Sequence, residues 1–197
     1  ASFKQATPGQ AWADDDQLFI CPNLRAAQIY IHEELPATRH RHLVKDLLAE
    51  SRIDQVILRE ADDTFRVVTA DRGSLSICHG GDVIDAYGNR WTVDGDLGAI
   101  DARMNGDRIE YGDYPNALER ICNGFADGSA SLWVTARLGH EFRIAETHTH
   151  PGGSHGSLHL LDSTSPLIAA GLPDDVSLPP NARTIDIAPL CRKVLQP

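Results

Sequence analysis

The chain has 197 residues, of which 42% are hydrophobic and 23% charged, and its formal net charge is −10. This length and composition are typical of one large or two small globular domains with a core of useful size. The acidic balance argues against nucleic acid as a partner, because a polyanion would be repelled. No apolar run reaches the roughly 18 residues that span a membrane, so no membrane association is expected.

Two further features of the sequence bear on the cellular compartment of the protein. Residues 1–16 lack the apolar centre of a secretory signal and are predicted to be a flexible lead-in. The four cysteines are widely spaced, without a CxxC pair, which favours buried free thiols over disulfides. Both observations favour a cytoplasmic protein.

Strands alternate with helices along residues 17–197, which predicts one α/β domain. The predicted strands are 18–23, 25–31, 54–60, a hairpin over 64–82 that turns at 71–73, 131–136 and 165–171, with a turn-rich stretch over 83–102. The predicted helices are 37–51, 113–128 and 182–195.

Each predicted helix has a candidate capping residue and an apolar stripe. Thr38, Asp113 and Asp186 are the expected caps, and Pro115 and Pro189 are expected in first turns, where the missing N–H costs nothing. The stripes, which are expected to be buried, comprise Leu43, Val44, Leu47 and Leu48; Leu118, Ile121, Cys122 and Phe125; and Leu190, Cys191, Val194 and Leu195.

Four of the nine histidines lie within twelve residues, at His148, His150, His155 and His159. Neutral imidazole is a zinc ligand, and clustered histidines allow one loop to organise several ligands. His148 and His150 would face the same way on an extended segment, and the glycine after His155 lets the backbone approach a ligand closely. The alternative is a solvated loop whose histidines bond to the backbone.

The sequence around this loop carries a family resemblance. A His-Gly pair at 155–156, "PLI" at 166–168 and "DIAP" at 186–189 occur in this order, after the segments "YGDYPNALERI" and "SLWVTARLGHEF". This order resembles the C-terminal end of alkaline phosphatase superfamily enzymes, and most closely the type I phosphodiesterase/nucleotide pyrophosphatase branch. The resemblance covers residue 110 to the end well and the part from Leu18 more weakly.

The resemblance implies a fold and an activity. It implies a mixed sheet flanked by helices, forming the C-terminal part of an alkaline phosphatase-like domain. Members hold two divalent metals, usually zinc, and use a Thr or Ser nucleophile on phosphate esters. The metal-ligand role carries over to His155; His148 and His150 are further candidate ligands, and His159 is a candidate contact to the substrate phosphate.

Other parts of the family's site have no counterpart in this chain. In "ICHGGD", Cys78 stands where the family has an Asp, and "DSTSP" at 162–166 lies in the lead into the "PLI" strand rather than in a nucleophile motif. A catalytic zinc takes about three protein ligands. The sequence therefore predicts one portion of a hydrolase for small phosphate esters, whose partner is a missing N-terminal half or a second copy of this chain.

Two alternatives stay open. The first is a non-catalytic binding or structural module that keeps the fold and holds at most one metal in the loop from His148 to His159. The second is an unrelated metal hydrolase with His148, His150 and His155 as ligands and Glu141 or Glu146 as the base.

Overall fold

The computed structural model describes residues 3–5, 18–31, 36–61, 63–125, 130–143 and 152–195. The chain divides into two compact units, Ala1–Ser163 and Thr164–Pro197, which are described separately here. The predicted lead-in 1–16 contains strand β1 at Phe3–Gln5, and its other residues lie outside the described ranges.

The first unit contains a sheet and three helices in its described residues. The strands are β1 (Phe3–Gln5), β2 (Leu18–Asn23), β3 (Ala26–Ile31), β4 (Ile53–Ala61), β5 (Thr64–Val68), β6 (Ser74–Ile84), β7 (Arg90–Gly95), β8 (Ala102–Asn105), β9 (Arg108–Tyr111) and β10 (Leu132–Ala136). The helices are α1 (Ala37–Ala49), α2 (Ala117–Asn123) and α3 (Leu160–Ser163), with a 3-10 turn at Leu97–Ile100.

The strands form one mixed sheet in the order β1-β2-β3-β10-β4-β5-β6-β9-β8, and β7 pairs with β6 off this path. The β1–β2 and β6–β9 pairs are parallel, and the other pairs are antiparallel. The last strand in sequence, β10, is inserted between β3 and β4. The fold is thus α/β, with a mixed sheet flanked by helices, as predicted.

Helices cover both faces of the sheet. Neighbouring residues of a strand point to opposite faces, so Val56 and Ile57 of β4 report on one face each. Val56 belongs to a core cluster that includes the α1 stripe, whereas Ile57 belongs to a second cluster that includes α2. Both residues are fully buried. The apolar run of β4 is therefore explained by two covered faces.

The buried stripe predicted for α2 is confirmed, but the predicted start of the helix is wrong. Leu118, Ile121, Cys122 and Phe125 are all buried. The N-cap is Asn116, which is left-handed at φ 53° and so separates Pro115 from the helix. Asp113 does not cap it: its backbone N–H donates to Asp101, and its carbonyl accepts from Leu160.

For α1, the helix is confirmed and its predicted cap is wrong. The helix begins at Ala37 after Pro36 as N-cap, so Thr38 lies inside the first turn. Leu43, Val44, Leu47 and Leu48 pack as partly buried residues against the core cluster that contains Val56.

The second unit contains one helix, α4 (Thr184–Leu195), in the predicted place. It begins two residues before Asp186, whose carboxylate reaches back to accept from the backbone N–H of Arg183 at 2.8 Å. Pro189 is therefore inside the helix instead of in its first turn. The predicted buried side is wrong, since Cys191 is exposed and Leu195 is 78% exposed.

The strand predicted at 165–171 is also wrong. These residues have no regular secondary structure, and Leu167 and Ile168 are 39% and 86% exposed. An apolar run becomes a strand only when a neighbouring strand pairs with it, and no described strand pairs with this one.

All four cysteines are free, as predicted, but the predicted burial holds for Cys122 alone: Cys21 and Cys78 are partly buried and Cys191 is exposed. Burial raises the pKa of the Cys122 thiol to about 12, so this thiol stays protonated at neutral pH. Among the described helices, none is both long and apolar enough to cross a membrane.

Candidate functional site

The candidate site is built on residues 152–159, which we call the HG loop. The loop contains no strand or helix and leads directly into α3. His155 is exposed, whereas Ser157, Leu158 and His159 are buried. One imidazole is thus presented to solvent by a loop whose following residues are anchored in the protein.

The loop rests on the turn between β2 and β3. The backbone N–H of Arg25 donates to the carbonyl of His155 at 3.0 Å. Gly156 has a φ of 119°, and a Cβ at this position would lie 2.9 Å from the carbonyl oxygen of Asn23. Glycine is therefore required both by the backbone conformation and by the close approach to the turn.

A buried ion pair joins the end of the loop to the same turn. Arg25 Nε donates to Asp162 Oδ2 at 2.6 Å, and the two side chains are 5% and 4% exposed. The same carboxylate oxygen accepts from the backbone N–H and the hydroxyl of Ser157, at 3.1 and 2.5 Å. One carboxylate oxygen thus holds the sheet turn and the loop together.

Helix α2 holds the loop from another side. Arg120 Nη1 donates to the carbonyl of Leu158 at 2.8 Å, and Nη2 donates to the carbonyl of Ser157 at 3.1 Å. The Leu158 side chain is fully buried in the core cluster that contains α2. These contacts give buried carbonyls the partners that buried polar groups need.

His159, the candidate phosphate contact, has a buried ring with defined neighbours. Its Nδ1 accepts from the backbone N–H of Leu161 at 3.1 Å, so the proton of the neutral ring lies on Nε2. Nε2 is 3.8 Å from the carboxylate of Asp113, and the ring packs edge-on against Tyr114 at 5.7 Å between centroids. A role for His159 in substrate contact stays a prediction.

The structure does not test the rest of the predicted ligand set. His148, His150 and Glu146 lie outside the described residues, and Glu141 is exposed. Within the described ranges, no three His, Cys, Asp or Glu side chains are close enough together to hold a metal ion. Of the predicted ligands, His155 is the one whose surroundings the structure describes.

The two other motifs considered in the sequence are part of the framework. Cys78 lies in β6 opposite Thr64 and Thr92, and the next residue, His79, stacks on Trp91 at 4.5 Å between centroids. In "DSTSP", the Ser163 hydroxyl donates to the carbonyls of Leu158 and His159.

Sequence reasoning missed Arg25, Ser157 and Arg120. Arg25 and Arg120 contact residues far away in the sequence, with separations of 137 from Arg25 to Asp162 and 38 from Arg120 to Leu158. Ser157 contacts Asp162, which is only five residues away, but no sequence pattern marks that pair. The one local signal was an arginine that follows directly on an apolar strand, where a charge must find a partner if it is buried.

The ion pair predicts a pH dependence of stability. Burial acts to raise the pKa of the Asp162 carboxyl, but hydrogen bonds from Ser157 and Arg25 outweigh burial and hold this pKa below its ordinary value. A pKa that is lower in the folded state contributes stability above the unfolded-state value of about 3.9, and this contribution is lost as pH falls through the folded-state pKa. Urea unfolding from pH 6 to pH 3 is therefore expected to show a steeper loss of stability in the parent chain than in Asp162→Asn. Equal slopes would contradict this assignment.

The chain was also compared with known proteins. No family model, no curated protein and no solved structure matches it.

Proposed function

We propose that this chain is the C-terminal portion of a metal-dependent hydrolase of phosphate esters, of the alkaline phosphatase type, in which His155 supplies one metal ligand. The observation that carries the proposal is the exposed imidazole of His155, on a loop that is bonded to the sheet and whose last three residues, 157–159, are buried.

The local donor set fits a divalent metal. Imidazole is a common ligand of zinc, and His155 is flanked by Ser154, whose buried hydroxyl has no hydrogen-bond partner among the described residues. A metal bound here would polarise the phosphate ester and the attacking oxygen. The residues of this chain would hold the ligand in place, and the other ligands and the nucleophile would come from the missing N-terminal half or from a second copy.

The charge of the chain supports a small substrate. With a net charge of −10, binding of a long polyanion is disfavoured, whereas a compact ester beside a metal is not. A cytoplasmic setting is part of the same proposal and is supported by the four free thiols.

Zinc titration of the purified chain tests the proposal. We expect Zn²⁺ to perturb the imidazole resonances of His155 ahead of those of His79, which is also exposed but lies outside the HG loop. His155→Ala should abolish this first response, and His79→Ala should preserve it. The chain alone should not hydrolyse bis(4-nitrophenyl) phosphate, since one ligand does not make a catalytic zinc site.

Three results would overturn the proposal. One is an equal response of His155 and His79 to Zn²⁺. Another is metal-dependent hydrolysis that His155→Ala leaves intact. The third is one tightly held zinc in the purified chain, lost in His155→Ala, because the chain would then complete a site by itself, as the alternative with His148 and His150 requires.

A further inference from the structure

We infer that Arg25 and Asp162 are positioning residues that fix the backbone carrying the His155 imidazole at the candidate metal site. This inference rests on the proposed function. It assigns these two side chains a supporting role, without direct contact to the proposed metal.

Asp162 gathers three donors on one oxygen. Its Oδ2 accepts from Arg25 Nε, from the Ser157 backbone N–H and from the Ser157 hydroxyl. Ser157 follows His155 by two residues, so the carboxylate fixes the chain immediately after the ligand. The Ser157 hydroxyl also accepts from the backbone N–H of His159 at 3.1 Å, which fixes the next turn of the loop.

Arg25 fixes the other side of the same loop. Its backbone N–H binds the carbonyl of His155, while its guanidinium donates to the carbonyls of Ala136, Arg137 and His140, at 3.2, 3.1 and 3.4 Å. These carbonyls lie at and just after the end of β10. Arg25 thus connects the end of a central strand to the backbone of His155.

A charged pair performs this task better than neutral groups would. The planar guanidinium presents several donors in fixed directions, and the carboxylate accepts several hydrogen bonds at once. Both side chains are at least 95% buried, and each neutralises the other. Loss of either charge would leave the other one buried without its counter-charge, although it would keep its hydrogen bonds to neutral groups.

The consequence is a rigid base for an exposed ring. The carbonyl of His155 is held by the sheet, and the residues after it are held by Asp162, while the imidazole itself is exposed. A metal ligand must be held close to its productive position by groups behind it, because a small displacement lowers affinity and rate.

The test measures the NMR order parameters of His155 in the whole chain, without and with Zn²⁺. In Asp162→Asn, we expect the order parameter of the His155 backbone amide to fall from about 0.85 to below about 0.6, with matching loss of order at the imidazole Cε1–H. Arg25→Lys should have a smaller effect in the same direction, because lysine keeps the positive charge but lacks the planar guanidinium with its several fixed donors. Ser157→Ala removes one hydroxyl link and serves as the decisive variant if Asp162→Asn does not fold.

Asp85→Asn is the matched control for general destabilisation. Asp85 is 1% exposed and accepts from the Trp91 indole and from the backbone N–H groups of Tyr87 and Asn89. This variant should leave the order of His155 unchanged.

The inference is overturned if His155 keeps its order in the folded Asp162 or Ser157 variant, or if Asp85→Asn disorders it equally. The response of the parent chain to Zn²⁺ separates the two proposals. A rigid His155 that loosens in the variants but does not respond to Zn²⁺ supports the positioning role and contradicts the metal role.

Discussion

Leu158→Ala is expected to lower the free energy of unfolding of the first unit by about 2–5 kcal/mol, the range for removing a fully buried leucine side chain. Leu158 is 0% exposed and belongs to the core cluster with Leu118 and Ile121 of α2. The substitution removes apolar contacts and leaves a cavity beneath the HG loop. Urea unfolding followed by tryptophan fluorescence measures this loss, because Trp91 and Trp133 both lie in the first unit.

Leu161→Ala is the matched control for Leu158→Ala. Leu161 lies three residues further along, in α3, and is 65% exposed, so its removal should change the free energy of unfolding by no more than about 0.5 kcal/mol. Equal losses in the two variants would mean that Leu158 does not anchor the loop in the core. In Leu158→Ala we also expect faster amide exchange at Ser157 and His159, because these two residues flank Leu158, whose side chain anchors this part of the chain in the core.

The contrast between these leucines shows what the sequence could not predict. The α2 stripe was found because helical spacing places Leu118, Ile121 and Cys122 on one face. No such period marks the HG loop and the start of α3, where the buried Leu158 and the exposed Leu161 are three residues apart. Burial in a loop is decided by what the loop packs against, which requires the tertiary structure.

The errors at helix ends and in the second unit have a related cause. Asp113 looked like a cap because of its residue type, but the left-handed Asn116 moved the start of α2 beyond its reach. The apolar run through Leu167 and Ile168 looked like a strand, but a strand also requires a neighbour that pairs with it. In both cases the residue types fitted the predicted element, but whether the element forms depends on the backbone conformation or strand pairing of other residues.

At the candidate site, the family resemblance pointed to His155 but not to the residues that support it. The His-Gly pair was visible because His155 and Gly156 are adjacent in the sequence. Arg25 is 130 residues from His155, and one of its contacts to the loop is a backbone N–H, which any residue other than proline supplies. Such a contact leaves no trace in a single sequence.

Gly156→Ala is expected to lower the free energy of unfolding of the first unit by about 2–4 kcal/mol. Its φ of 119° lies in a region that only glycine populates readily, which accounts for about 1–3 kcal/mol. The remainder comes from contact between the new Cβ and the carbonyl oxygen of Asn23 at 2.9 Å, which is main chain within the paired β2–β3 hairpin and has little freedom to move. Urea unfolding with tryptophan detection measures the loss.

Gly153→Ala is the control, because it adds the same methyl group to the same loop. Gly153 does not have a positive φ, and a Cβ there meets nothing within 4 Å, so the change should stay within about 0.5 kcal/mol. If Gly156→Ala proved as stable as Gly153→Ala, the loop would have to leave the β2–β3 turn to make room, and the amide of Arg25 would then exchange freely with solvent. Slow exchange at Arg25 in a stable Gly156→Ala variant would contradict the close approach of Gly156 to Asn23, and with it the argument that the backbone of His155 is held against the sheet.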